Sequence, residues 1–334
     1  MTFRTLCVAL LALVCATPAL ARKTTIKMAT LAPKGSAFHK VLAELGDEWA
    51  RLSDGQVELK IYPGGVAGDD AEVVRKIRLG TLHGALVTSA GLREIDAAVH
   101  VLQLPLFYRD WAEFDHVRAA LRPTLDTIYR DAGFEVLAWG DAGWIRFLSK
   151  APIVTPADAS QQKLFVFQGD PKQVELWKAN GFNVVPLPAT EITTGLQTGL
   201  IDAVPTTAQA AVLMRWNDHA RHLTGAEWTP FVGGLIIDRK VWEGLDPALR
   251  GKLAAAAEAS GERLKAISRE KDRESVDEMA KRGLTVNAIP PAAMAQWQAK
   301  VEAATDRIRG EYAPAALYDQ AKALRDAWRA GGGK

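Results

Sequence analysis

The chain has 334 residues, 41 basic against 39 acidic, a formal net charge of +2 and two cysteines. A balance that even, with no basic stripe and no base-stacking motif, argues against nucleic acid as a partner. Both cysteines, Cys7 and Cys15, lie near the N-terminus, so the rest of the chain has no disulfide, no thiolate metal site and no cysteine nucleophile.

The opening MTFRTLCVALLALVCATPALA has one basic residue, Arg4, then an apolar run from Leu6 to Val14, with small residues at Ala19 and Ala21. This is the pattern of a secretory signal cut after Ala21, with the periplasm as destination. The run is too short to span a bilayer. Val14 is larger than the residue that lipidation at Cys15 would want before it. A chain exported without disulfides must hold itself together by its core, and this one is long enough for two.

Strands and helices then alternate, the α/β pattern. TTIKMAT reads as a strand, SAFHKVLAELGDEWARLS as a helix with Ser36 as its cap, and QVELKIY as a strand alternating at Val57, Leu59 and Ile61. DDAEVVRKIRLG is a helix that Asp69 or Asp70 can cap and Gly80 can end, and GALVTSAG is a third strand. The same order returns in KLFVFQGD, PKQVELWKANG, NVVPLP, ATEITTGLQTG and LIDAVPTTA. Placing Gly199 under Gly80 brings Glu191 under Glu72, Leu196 under Ile77 and Thr207 under Thr88, which points to two equivalent lobes.

Open α/β sheets bind ligands beyond the carboxyl ends of their strands. Those ends are Thr30 to Pro33 (with Leu31), Thr88 to Gly91 (with Ser89), Val166 to Gly169 (with Phe167 and Gln168) and Pro205 to Ala208 (with Thr206 and Thr207). Facing lobes would bring them to one cleft that closes around a small molecule by hinge motion. Phe167 fits a core role as well as a site role, and Phe107 fits the core better.

The last third is helical. From Pro247 to Gly283 an apolar stripe runs through Leu249, Leu253, Ala256, Ala257, Leu264 and Ile267. At about 1.5 Å per residue such a helix would run roughly 54 Å, too long for one lobe. It should therefore cross both, which also argues for a monomer. Two amphipathic helices follow, around Met294 to Gly310 and Pro314 to Ala330.

Catalytic patterns are missing. There is no G-x-S-x-G elbow around Ser89, no G-x-G-x-x-G and no phosphate loop. His219 and His222 are three residues apart but lack a third metal ligand. Asp69 and Asp70 suit helix capping better than acid–base work. No catalytic residue, metal or cofactor is expected.

GGVAGDDAEVVRKIRLGTLHGALVTSAG, LQLPLFYRDWAEFDHV, SKAPIVTPADASQQKL and LPATEITTGLQTGLIDA together resemble the DctP-type extracytoplasmic solute receptors of tripartite ATP-independent periplasmic (TRAP) transporters. The resemblance implies an α/β, two-lobed periplasmic binding protein of the Venus-flytrap kind with a long helix spanning both lobes. It also implies delivery of a small-molecule solute to TRAP membrane permease subunits. On that reading residues 1–21 are the signal, and lobe I takes 22–145 plus about 232–260. Lobe II takes 146–231 plus about 261–313, the long helix about 247–283, and a C-terminal helix and frayed tail 314–334.

The family's typical ligands are organic acids, held by an arginine in a segment that usually reads G-L-K-I-R-V. A guanidinium there forks two hydrogen bonds to a carboxylate. Here the matching segment is QQKLFVF, and Phe165 takes the arginine's place. The asparagine of the family's D-G-Q-E-N-P falls at Thr206, and Thr88 stands where some members carry a glutamate. Arg146 in GWIRFLSK falls near a second arginine of many members.

The expected ligand is therefore a solute with a substantial apolar part, set against Phe165, Phe167 and Phe231. Thr88, Ser89, Thr206, Thr207, Gln168 and Trp144 would supply polar anchoring. Two other readings stay open. One is an ordinary carboxylate receptor using Arg146. The other is a ligand sensor for a membrane signalling partner.

Overall fold

A computed structural model describes residues 23–333, so the signal segment and its expected cut lie outside the described residues. The strands are β1 (Thr24–Thr30), β2 (Val57–Tyr62), β3 (Gly84–Thr88), β4 (Phe134–Ser149), β5 (Leu164–Phe167), β6 (Val184–Leu187), β7 (Ala203–Thr206), β8 (His222–Thr224), β9 (Thr229–Asp238) and β10 (Thr285–Asn287). Their spatial order is β2-β1-β3-β9-β4-β7-β5-β6, with β8 on β4 and β10 on β8. Among the described residues, no helix is long and apolar enough to cross a membrane.

The duplication has a topological counterpart. β1 pairs in parallel with β2 and β3, and β5 pairs in parallel with β6 and β7. In both units the middle helix ends at a glycine with positive φ, Gly80 at 71° and Gly199 at 76°, where a Cβ would be strained. Thr88 and Thr207, matched by the alignment, each cap the helix that follows, accepting the backbone N–H of Ala90 and of Ala210.

Two long strands join the units. β9 is antiparallel to β3 and β4, and β4 continues past β9 to pair antiparallel with β7. The ladder shifts register between Asp141 and Trp144, a bulge that bends the strand where it leaves one half for the other. The helix Pro247–Lys281 crosses the same boundary, about 52 Å long at its ordinary rise. Leu253 and Ala257 pack into the core around Ile26 and Trp49, while Met279 packs into the core around Leu148 and Leu223.

Charge holds this helix to the bulge. Asp141, 4% exposed, takes Arg118 at 3.1 Å and Arg269 at 2.7 Å. Arg269 also binds Asp115 at 2.7 Å, and its guanidinium lies 3.9 Å from the centre of the Trp111 ring. Asp272 accepts the backbone N–H of Trp144 at 3.2 Å and of Gln209 at 3.0 Å. Gly143 has φ 112°, and a Cβ there would sit 2.3 Å from the Asp272 carboxyl carbon.

A second ionic contact joins the strand ends of the two halves. Asp170, 3% exposed and just past β5, pairs with Arg93 Nε at 2.9 Å, and Arg93 also donates to the Gly169 carbonyl at 2.5 Å. Arg93 belongs to the helix Ser89–Ile95 that follows β3. His100 Nε2 lies 3.4 Å from the same carboxylate, while its Nδ1 donates to the Tyr312 carbonyl at 2.7 Å. Burial alone would raise the Asp170 carboxyl. The His100 hydrogen bond and the Arg93 charge outweigh it and hold the group below the ordinary carboxylate range.

Two outcomes follow from this hinge and latch. Gly143→Ala should destabilise the protein by roughly 2–4 kcal/mol in denaturant unfolding, because it combines a left-handed φ with a clash against Asp272. Asp170→Asn keeps the cap of the helix Pro171–Ala179 but leaves Arg93 without its counter-charge. It should cost the closed form roughly 3–5 kcal/mol and enlarge the radius of gyration of the ligand-free protein in small-angle scattering. Because the folded-state pKa is depressed, the latch is fully formed above the ordinary carboxylate pKa and is lost as pH falls below about 4. Identical scattering from the two proteins would show that the pair does not govern closure.

Candidate functional site

A cleft of about 340 Å³ lies between the halves. That is within the usual size range of small-molecule sites. The strand ends meet there as the duplication implies: Leu31 after β1, Thr88 at the end of β3, Phe165 and Phe167 on β5, and Thr206 and Thr207 at the end of β7 all line it, with Phe231 of β9. Phe165 and Phe167 meet edge to face, with ring centres 5.1 Å apart. Phe165 is also part of the core cluster with Leu148 and Leu187.

Some of the polar groups are already engaged, while Gln209 Oε1 on the lining is buried without a hydrogen-bond partner among the described residues. The Thr88 hydroxyl donates to Asp70 at 2.5 Å and accepts from Ala90 N–H at 3.1 Å. Asp70 is buried behind it. Desolvation pushes its carboxyl up to about 6, against the pull of the two Thr88 hydrogen bonds. Thr207 is occupied as a helix cap. Thr206 has the loosest hydroxyl of the three, with only the Thr207 carbonyl at 3.5 Å. Among the described residues Asp141 is the single charged residue on the lining, and its two arginines neutralise it. Among the described residues the lining has no arginine, lysine or histidine.

Four of the sequence candidates stand outside this lining. Arg146 is held by the Gly225 carbonyl at 2.8 Å and by Glu227 at 2.7 Å. After the bulge it is Ile145 that faces a smaller chamber beside the cleft, and alternation turns its neighbour Arg146 to the other side of the strand. Trp144 packs on Trp111 with ring centres 4.8 Å apart. Ser89 lines the smaller chamber, and Gln168 a shallow recess with Leu31 and Arg93. The smaller chamber, about 110 Å³, shares Phe165, Phe167 and Phe231 with the cleft as a common wall.

His219 and His222 do not share a helix face, because His222 opens β8. Among the described residues, no group of three or more His, Cys, Asp or Glu is arranged to hold a metal. Phe107 is in the core, in edge contact with Tyr108 at 4.9 Å.

Sequence reasoning missed the helical wall of the cleft. Phe38, Val41, Leu42 and Leu45 of the helix Ala37–Leu52 line it, and so do Ala257, Ser260, Gly261 and Leu264 of the long helix. Both sets follow the i, i+3, i+4, i+7 spacing of one helix face. The spacing was visible, but it reads equally as core packing.

Comparison with known proteins agrees with this geometry. Residues 28–311 match the DctP family model, described as bacterial extracellular solute-binding protein, family 7. The 2,3-diketo-L-gulonate-binding periplasmic protein YiaO of Escherichia coli (strain K12) is 24% identical over 252 residues, 74% of this chain and 76% of that one. The C4-dicarboxylate-binding periplasmic protein DctP of Rhodobacter capsulatus is 23% identical over 285 residues, 82% of this chain and 83% of that one. A TRAP periplasmic solute-binding protein from Xanthobacter autotrophicus Py2, solved with bound β-D-galacturonate, superposes with a TM-score of 0.83 at 23% identity, covering 90% of this chain and 99% of that one. The chain belongs to the DctP family of bacterial extracellular solute-binding proteins, the periplasmic solute receptors of TRAP transport, and is a binding protein rather than an enzyme.

Proposed function

We propose that this receptor, released into the periplasm by a cut after Ala21, captures a solute with a substantial apolar part and hands it to a TRAP permease. The observation that carries the reading is the lack of any cation on the cleft lining among the described residues. A carboxylate drawn into such a cleft would lose its hydration without a fixed partner, at a cost of several kcal/mol. Apolar ligand surface set against the phenylalanines gains roughly 25 cal/mol per Å² instead. The relatives named above for sugar acids and dicarboxylates set the contrast, because Phe165 stands where the family pattern has its clamping arginine.

A second reading keeps an organic acid, bound in a shifted pose by Arg146. Its support is that Arg146 Nε is buried with no partner, so the guanidinium has one donor unused. Against it, Glu227 already neutralises the charge.

Thermal-shift measurements on purified protein separate the two. Medium-chain and aromatic solutes should raise the melting temperature, and short dicarboxylates and keto acids should not. Phe165→Ala should weaken binding of the apolar solutes by about 1.5–3 kcal/mol, roughly ten- to a hundredfold. Strong stabilisation by a small dicarboxylate that disappears in Arg146→Ala would overturn the apolar reading. Native mass spectrometry of protein taken from cells would identify a carried solute directly.

A further inference from the structure

We propose that the smaller chamber beside the cleft is a second binding site, for a short uncharged hydroxyl compound, and that filling it holds the receptor closed. Its polar and aromatic residues come from different parts of the molecule. Ser89 follows β3, Gln103 ends the short helix Ala97–Gln103, and Thr229 opens β9. The second half contributes Phe165 and Phe167 of β5, with Trp177 and Phe182.

Ser89, Gln103 and Thr229 are all more than nine-tenths buried, and each has a polar group unused. Neither the Ser89 hydroxyl nor Thr229 Oγ1 has a hydrogen-bond partner among the described residues. Gln103 gives Nε2 to the Pro230 carbonyl at 3.1 Å and keeps Oε1 free. Protein interiors leave few such groups, because each has lost its water without a replacement. Three of them around one chamber point to a ligand that completes them. They are two hydroxyls and a carboxamide oxygen, and a hydroxyl compound both donates and accepts.

The ionic groups on the lining do not call for a charged ligand. Arg93 and His100 both face Asp170, at 2.9 and 3.4 Å. Lys300 is partly exposed, so water solvates it, and its Nζ lies 5.5 Å from the centre of the Phe182 ring. Size narrows the class further. An apolar cavity of about 150 Å³ takes benzene, so in proportion about four or five heavy atoms fit a chamber of about 110 Å³. Propane-1,2-diol is of that size, and its methyl end suits the aromatic residues. A molecule touching both halves binds best while they are together, so it shifts the population toward the closed form.

The test is a titration of the full mature protein with propane-1,2-diol, followed by saturation-transfer NMR and small-angle scattering. Binding should saturate, and the radius of gyration should fall with it. Ser89→Ala should weaken the diol about five- to tenfold. Thr229→Val should weaken it similarly without lowering the melting temperature, because the hydroxyl it removes has no partner within the protein. Neither residue lines the main cleft, so diol bound there would be insensitive to both changes. Binding that does not saturate, or that both variants leave unchanged, overturns the site. Saturable binding with no change in scattering overturns its link to closure. Tighter binding of propionate that disappears in Lys300→Ala overturns the uncharged class. None of these results bears on the apolar solute proposed for the main cleft.

Discussion

The molecule depends on one buried charge cluster. β4 serves both halves, so it must bend, and a bend in a strand exposes backbone groups that the ladder would otherwise satisfy. Asp141 and Asp272 stand on either side of that problem. Asp272 takes the freed N–H of Trp144, and Asp141 draws Arg118 and Arg269 onto the bulge. Since Arg269 and Asp272 both belong to the long helix, the same contacts that repair the strand fix the helix across the boundary. The cleft wall made by Ala257, Ser260 and Gly261 is placed by them in turn.

Much of this was legible in the sequence, and what was not has identifiable causes. The repeated units could be read because their strands alternate and their helices carry caps and terminal glycines. The crossing strands were hidden. β4 is buried on most of both faces, so it shows no period of two, and Gly140 and Gly143 look like a loop. β9 contains Pro230 and the pair Gly233–Gly234, and a Cβ at Gly233 would meet the Val87 carbonyl at 2.6 Å. Those glycines exist for close strand approach, which one sequence cannot distinguish from a turn. Arg146 illustrates the same limit at the site. Which face it takes depends on the bulge three residues earlier, and a slip of one residue exchanges the faces.

The cleft lining carries no arginine, lysine or histidine among the described residues. Two of its hydroxyls, those of Thr88 and Thr207, are used in capping helices, and that of Thr88 also holds Asp70. The carboxylate behind Thr88 adds a negative charge above its pKa of about 6, which disfavours an anion further. Arg118 and Arg269 at the bulge are matched by Asp141, and Arg146 by Glu227. The TRAP receptor fold is kept whole here.

The contact of Asp170 with Arg93 and His100 bears on how the halves part. It joins the halves beside the cleft, and water has almost no access to it. Any separation of the halves at this point must part a buried ion pair. Parting it would leave both groups in need of new partners, which water or another surface would have to supply.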